Sequence, residues 1–213
     1  MKRFLASAAL SLCVYPLSLP AQTTYRTVDE FLSSRPGFHE TPIVVASLED
    51  LDEDGDLDWV GVLLSEEFSQ IAVLSAEEGG LFSVAGQSGL FSPIIGGSGR
   101  AWVALVEKTA KNSFRVLVAT EASYSISSYK FSFSLGAEGW RLVSCWYERD
   151  GKGEDDSSAS VFVDVLTAEF FAKLRRGDEL LESSGRHRYQ LHPLRDFDYY
   201  PFLDLYELLP NER

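Results

Sequence analysis

Apolar and polar positions change period early in the chain. Val28, Phe31 and Leu32 fall on one helical face, preceded by Thr27-Val28-Asp29-Glu30, a capping-box pattern in which a Thr hydroxyl meets a free amide and a Glu follows three residues on. A short helix ending by Pro36-Gly37 is predicted, after a short leader over 22–26. From Ile43 the period becomes two. Ile43-Val44-Val45-Ala46 predicts a strand, and Trp59-Val60-Gly61-Val62-Leu63-Leu64 predicts another that is apolar on both faces. Gln70–Leu74 and Leu81–Val84 follow, separated by the turn signal Glu77-Glu78-Gly79-Gly80.

The second half continues in short strands. Trp102–Val106 and Phe114–Val118 flank a polar loop at Lys108–Ser113. Tyr129, Phe131, Phe133 and Leu135 alternate with Lys130, Ser132 and Ser134, and after the turn Gly136–Gly139 the residues Trp140, Leu142 and Ser144 alternate with Arg141, Val143 and Cys145. This is the pattern of a hairpin with one buried face and one wetter face. Arg149–Ser158 reads as an exposed acidic loop, and Val161–Leu166 as a strand. Thr167–Arg176 fits a helix or a strand, because Phe170, Phe171 and Leu174 share a helical face within a strand-rich context. The tail carries Phe197, Tyr199, Tyr200, Phe202 and Tyr206, broken by Pro201, and is expected to lie over the sheet. The expected fold is mainly β, a β-dominated α+β chain: antiparallel meander sheets with a short N-terminal helix, not a closed propeller.

The start of the chain adds a compartment. Met1-Lys2-Arg3 precedes an apolar run from Phe4 to Leu19 that is interrupted by Ser7, Ser11, Pro16 and Ser18, with Ala21 after it. This is the layout of a cleaved signal peptide over 1–21, leaving 22–213 as a single domain in the periplasm or outside the cell. The run is too short and too interrupted for a spanning helix, so no membrane span is expected after cleavage. Cys13 follows Leu12 within the apolar run and is not expected to carry lipid. The formal charge is −13, and cleavage deepens it by removing Lys2 and Arg3. Such a surface repels nucleic acid and anionic lipid and suits cations, basic protein partners or plain solubility. Only Cys145 remains after processing, so no internal disulfide can form, and its apolar setting predicts a buried, inert thiol.

The strongest chemical signal is Asp50-Leu51-Asp52-Glu53-Asp54-Gly55-Asp56-Leu57-Asp58. Carboxylates at alternate positions repel one another along a plain strand, but coiled around a cation they become oxygen ligands. Calcium takes six to eight oxygens in flexible geometry, and a glycine permits the sharp turn. Asp50, Asp52 and Asp54 stand at positions 1, 3 and 5, Gly55 at 6, Asp56 at 7 with its backbone carbonyl, and Asp58 at 9. An EF-hand needs a bidentate Glu at position 12, which here is Gly61, and its flanks are helices where these are strands. A solvated acidic turn is the alternative.

Followed by Trp59-Val60-Gly61-Val62, the loop resembles the calcium loop of FG-GAP and VCBS repeats, in which D-x-D-x-D-G-x-x-D leads into a hydrophobic strand. The resemblance implies Asp50, Asp52, Asp54, Asp56 (backbone) and Asp58 as ligands of a structural calcium. The loop occurs in one copy, and one blade cannot close a propeller. A wider pattern over residues 43–170 takes in Leu81-Phe82 after Gly79-Gly80, the Gly96–Gly99 stretch, Gly139-Trp140-Arg141-Leu142 and Val163–Thr167. It is similar to a family of uncharacterised exported bacterial β-rich proteins, which implies compartment and topology but no activity.

Other signals are weaker. Gly96-Gly97-Ser98-Gly99-Arg100 starts like a nucleophile elbow but has Arg100 where Gly is required. His187 and His192 lie in a basic segment with Arg186, Arg188 and Arg195, where positive charge opposes metal binding. Asp196 and Asp198 could pair as acid and base only in the right geometry. The function expected is an exported, non-catalytic, calcium-stabilised module that binds a protein partner, as an inhibitor or immunity-type protein would. Two alternatives stay open. A periplasmic hydrolase would cluster His39, His187 or His192 with carboxylates. A structural part of an envelope assembly would expose the aromatic tail.

Overall fold

The computed structural model describes residues 23–35, 38, 43–65, 67–91, 100–121, 125–151, 157–189, 193–198 and 200–210. The signal-peptide reading, His39, Ser98 and His192 lie outside them. Strand β1 (Thr24–Tyr25) comes first, on the segment read as a leader, followed by helix α1 (Val28–Ser33). The Thr27 hydroxyl accepts from the Glu30 amide at 3.1 Å, and the Glu30 carboxylate accepts from the Arg26 amide at 2.6 Å, one residue before the cap. The predicted cap therefore forms, with its reciprocal bond displaced by one residue.

Strands β2 (Ile43–Glu49), β3 (Asp58–Leu64), β4 (Ser69–Glu77) and β5 (Leu81–Gln87) complete an antiparallel sheet ordered β1-β5-β4-β3-β2. A second antiparallel sheet holds β6 (Arg100–Ala110), β7 (Ser113–Glu121), β8 (Ser125–Gly136), β9 (Gly139–Gly151), β10 (Ser157–Asp164), β11 (Glu169–Arg176) and β12 (Glu179–Arg186), paired in chain order. The mainly β, meander-built fold read from the sequence is what the chain adopts. Thr167–Arg176 resolves in favour of a strand, because β11 pairs along its whole length with both β10 and β12.

Both faces of the five-stranded sheet are covered, which explains the two-sided apolar pattern of β3. Val60, Val62 and Leu64 join Phe114, Phe131, Phe133 and Leu142 between the sheets. Trp59 and Leu63 turn the other way, toward Phe31 of α1 and Phe38. Trp59 lies along its own strand: a Cβ on Gly61 would stand 2.5 Å from the indole, so only glycine fits beneath it.

The seven-stranded sheet is wider than its partner, and β2 lies beside β6 at one corner of the sandwich. The C-terminal tail covers the remaining inner face. A short 3-10 turn at Leu194–Asp196 packs against β5 and β9, and a longer one at Tyr200–Leu208 packs against β9 and β10. Phe197 meets Phe131 and Phe133 edge-on at 5.4 and 5.1 Å, and Phe202 and Leu205 are fully buried. A register shift in the β8–β9 pair, where Ser132 faces Ser144 but Phe133 faces Leu142, flips the alternation of β9. Trp140 and Leu142 point inward as expected, but beyond the bulge Cys145 and Tyr147 are the inward residues and Ser144 is not.

Candidate metal centre

Residues 50–57 connect β2 to β3, and the loop closes on its own carboxylates. Both oxygens of Asp50 accept backbone amides, from Asp54 at 3.1 Å and from Gly55 at 3.1 Å. Asp52 Oδ1 accepts from the Asp54 amide at 3.2 Å, and Asp54 Oδ1 from the Asp56 amide at 2.9 Å. The chain turns back through two left-handed residues, Glu53 (φ 63°) and Gly55 (φ 102°). At Gly55 the conformation carries no side-chain penalty.

Asp58 anchors the far end. It is 4 % exposed, and its two oxygens accept from the Leu51 amide and the Ala76 amide, each at 2.9 Å. It thereby joins the loop to β4. Leu51 plugs the main core at 2 % exposure. Contacts to β6 and to the β6–β7 turn tie the loop to the other sheet. The Asn112 amide donates to Leu51 O at 2.6 Å, and the Lys108 ammonium donates to Asp50 O. Lys108 and Lys111 also stand 3.7 and 3.8 Å from the Glu53 carboxylate.

Asp50, Asp52 and Asp58 converge, each offering a carboxylate oxygen, with all three atoms within 4.8 Å of one another. This group could hold a metal ion, although exposed acidic groups are common without one. Among the described residues it is the one such cluster of His, Cys, Asp or Glu. Partial burial, with the neighbouring Asp54 and Asp58 charges adding to it, pushes the Asp52 carboxyl above the usual carboxylate range, while its bond from the Asp54 amide opposes the shift. A cation between the three oxygens would relieve that repulsion. Of the other two residues assigned as ligands from sequence, Asp54 uses one oxygen to hold the Asp56 amide, and Asp56 is exposed on the same loop.

The weaker sequence signals settle elsewhere. Cys145 is fully buried, and burial pushes its thiol far above the ordinary range, as expected of an inert thiol. His187 is exposed and packs on the Tyr189 ring at 4.6 Å. Asp196 stands 3.6 Å from the Arg195 guanidinium. Of the tail aromatics, Phe197 and Phe202 are core, whereas Tyr206 is half exposed. Among the described residues no helix is long and apolar enough to cross a membrane.

Sequence reasoning missed the outer face of the seven-stranded sheet. Trp146 and Phe171 stand on it 37 % and 43 % exposed, with the half-buried Phe162 between them. The signal was present as apolar residues at both parities of β9, β10 and β11, which an amphipathic strand does not require. No protein-family model matches the sequence, and neither the curated proteins nor the solved structures give a match.

Proposed function

We propose that this chain is an exported binding module whose sandwich is fastened by one calcium ion at the Asp50–Asp58 loop. The observation that carries the reading is the convergence of Asp50, Asp52 and Asp58 on one point of a loop bonded to both sheets. The donors are all oxygen, which suits a hard cation and disfavours zinc. The loop runs directly into the hydrophobic strand β3, as its resemblance to FG-GAP and VCBS loops implies. Backbone carbonyls of the loop, that of Asp56 included, and water would complete the shell. The role is structural: the ion neutralises a repelling cluster and fixes the corner where β2 and β6 meet. Export follows from the signal-peptide pattern of residues 1–21, and the mature protein works in the periplasm or outside the cell, where free calcium is available.

Calorimetric titration of the mature chain with calcium tests the assignment. One saturable site is expected, with a dissociation constant on the order of 10⁻⁴–10⁻³ M, as in other extracellular modules. Asp52→Asn should abolish the heat. Identical titrations for both proteins would remove the loop from consideration.

A further inference from the structure

The outer face of the seven-stranded sheet carries a built depression that shares no residue with the metal loop. Strand register places Lys130, Trp146, Phe162 and Phe171 in one row across β8, β9, β10 and β11. Adjacent strands lie about 4.8 Å apart, so the three rings span roughly 10 Å. Trp146 and Phe162 meet at 5.5 Å between ring centroids. Polar rows border the rings on both sides: Arg115, Ser132 and Ser144 on one, Glu148, Ser160 and Lys173 on the other. Two adjoining hollows result, of about 410 Å³ beside Trp146 and Phe162 and about 420 Å³ beside Lys173 and Arg175, and Glu148 lines both. Both hollows are open to solvent along one side, so a ligand would lie across the sheet with its outer face exposed.

The charges on this face define the ligand. Lys130 stands 2.7 Å from the Glu148 carboxylate, Lys173 2.9 Å from Glu182, and Arg115 3.6 Å from Glu107. Lys130 and Lys173 also sit over the Trp146 and Phe171 rings, at 5.6 and 5.0 Å from the centroids, which steadies both rings. An anion would have to break these pairs against the field of an acidic chain. A flat protein surface, a second copy included, would have to bury all three pairs, at a desolvation cost that ion pairing seldom recovers. A stacked sugar must shift the Lys130 and Lys173 ammoniums from the ring faces, but its hydroxyls replace the partners it displaces, because each can donate to a carboxylate and accept from an ammonium or a serine. The apolar C–H face of a pyranose packs on an exposed aromatic ring, and two linked pyranoses match the length of the row.

We infer that the outer face of β8–β11 binds a neutral oligosaccharide, with Trp146 as the stacking platform, Phe162 and Phe171 extending it, and Lys130, Glu148 and Ser144 reading hydroxyls. This names a ligand class for the binding-module reading and does not depend on the metal. The probes are cellohexaose, chitohexaose and laminarihexaose, each titrated to about 10 mM, so that only dissociation constants well above about 10 mM escape detection, into the mature protein in calcium and again in chelator, with tryptophan emission and calorimetry as readouts. At least one should bind saturably in calcium. Trp146→Ala should weaken it about tenfold or more, equivalent to about 1.4 kcal/mol. Trp102→Ala, which removes an exposed indole outside the row, should leave it unchanged. Phe171→Ser, at an exposed position, gives a second weakened variant should Trp146→Ala fold poorly. Sugar binding without a calcium-induced rise in melting temperature would uphold this site and sink the metal reading. Failure of all three sugars in folded, calcium-stabilised protein would overturn the sugar site alone. So would equal binding by Trp146→Ala, or a dimer in sedimentation that Trp146→Ala dissociates, which would make the face a self-interface.

Discussion

Asp58 and Asp52 belong to one carboxylate group yet carry opposite loads. Asp58 is buried and satisfies two backbone amides, one from the loop and one from β4. Asp58→Ala would strand both, and hydrogen bonds to a charged acceptor contribute about 1.5–3 kcal/mol each. A loss of about 3 kcal/mol or more in urea denaturation is expected in chelator as well as in calcium. A loss below about 1 kcal/mol would mean that water replaces the carboxylate, since an unmade buried bond costs at least that much. Asp52 is the strained member, held above the ordinary carboxylate range by partial burial and neighbouring charge. Asp52→Asn should therefore raise the unfolding midpoint in chelator and cancel the gain from calcium, so that its two curves coincide. A lower midpoint in chelator would show that the Asp52 bond to the Asp54 amide outweighs the repulsion. Cys145 gives a probe of the core. Its buried, protonated thiol should resist a thiol reagent in the native protein and react only as fast as the chain opens. Labelling at the rate of a free thiol would place it at the surface.

At the level of elements, the tail is the part of the fold most exposed to test. The five-stranded sheet cannot cover the inner face of β9–β11, and Phe197, Phe202 and Leu205 cover what it leaves. Phe202→Ala should cost about 3–5 kcal/mol, the usual range for a fully buried aromatic, and thermal unfolding would register it as a large drop. A drop of only a few degrees would mean that the tail docks loosely. The tail's place over the sheet was legible in its aromatic spacing, as were α1, from its cap, and most strands, from their period and turn residues. Four features were not. The segment Arg149–Ser158, read as an exposed loop, is strand at both ends, with Asp150 opposite Ser158. The leader's pairing with β5 rests on two residues, too few to show a period. The bulge in β9 reverses parity at Val143–Ser144, which strict alternation cannot anticipate. The strand identity of 167–176 depends on neighbours on both sides, because Phe170, Phe171 and Leu174 satisfy either period. In the loop, sequence spacing gave all five acidic positions, but only backbone closure shows that Asp50, Asp52 and Asp58 converge while Asp54 holds the Asp56 amide.

Across the whole molecule, the loop joins what the hydrogen-bond ladders do not. Among the described residues the two sheets pair only within themselves, and the loop reaches β4 through Asp58, the β6–β7 turn through Leu51 and β6 itself through Asp50. A cation there should stabilise the assembled sandwich as a unit, not merely the loop. The measurement that tests this most directly is thermal unfolding of the mature chain in about 10 mM calcium and in chelator. With a dissociation constant of about 10⁻⁴–10⁻³ M, linkage gives about 1.4–2.7 kcal/mol, a rise of about 3–10 °C for a domain of this size. The account predicts one cooperative transition that moves upward by that amount in calcium and does not move in Asp52→Asn. Coincident curves for the wild type in calcium and in chelator would contradict it.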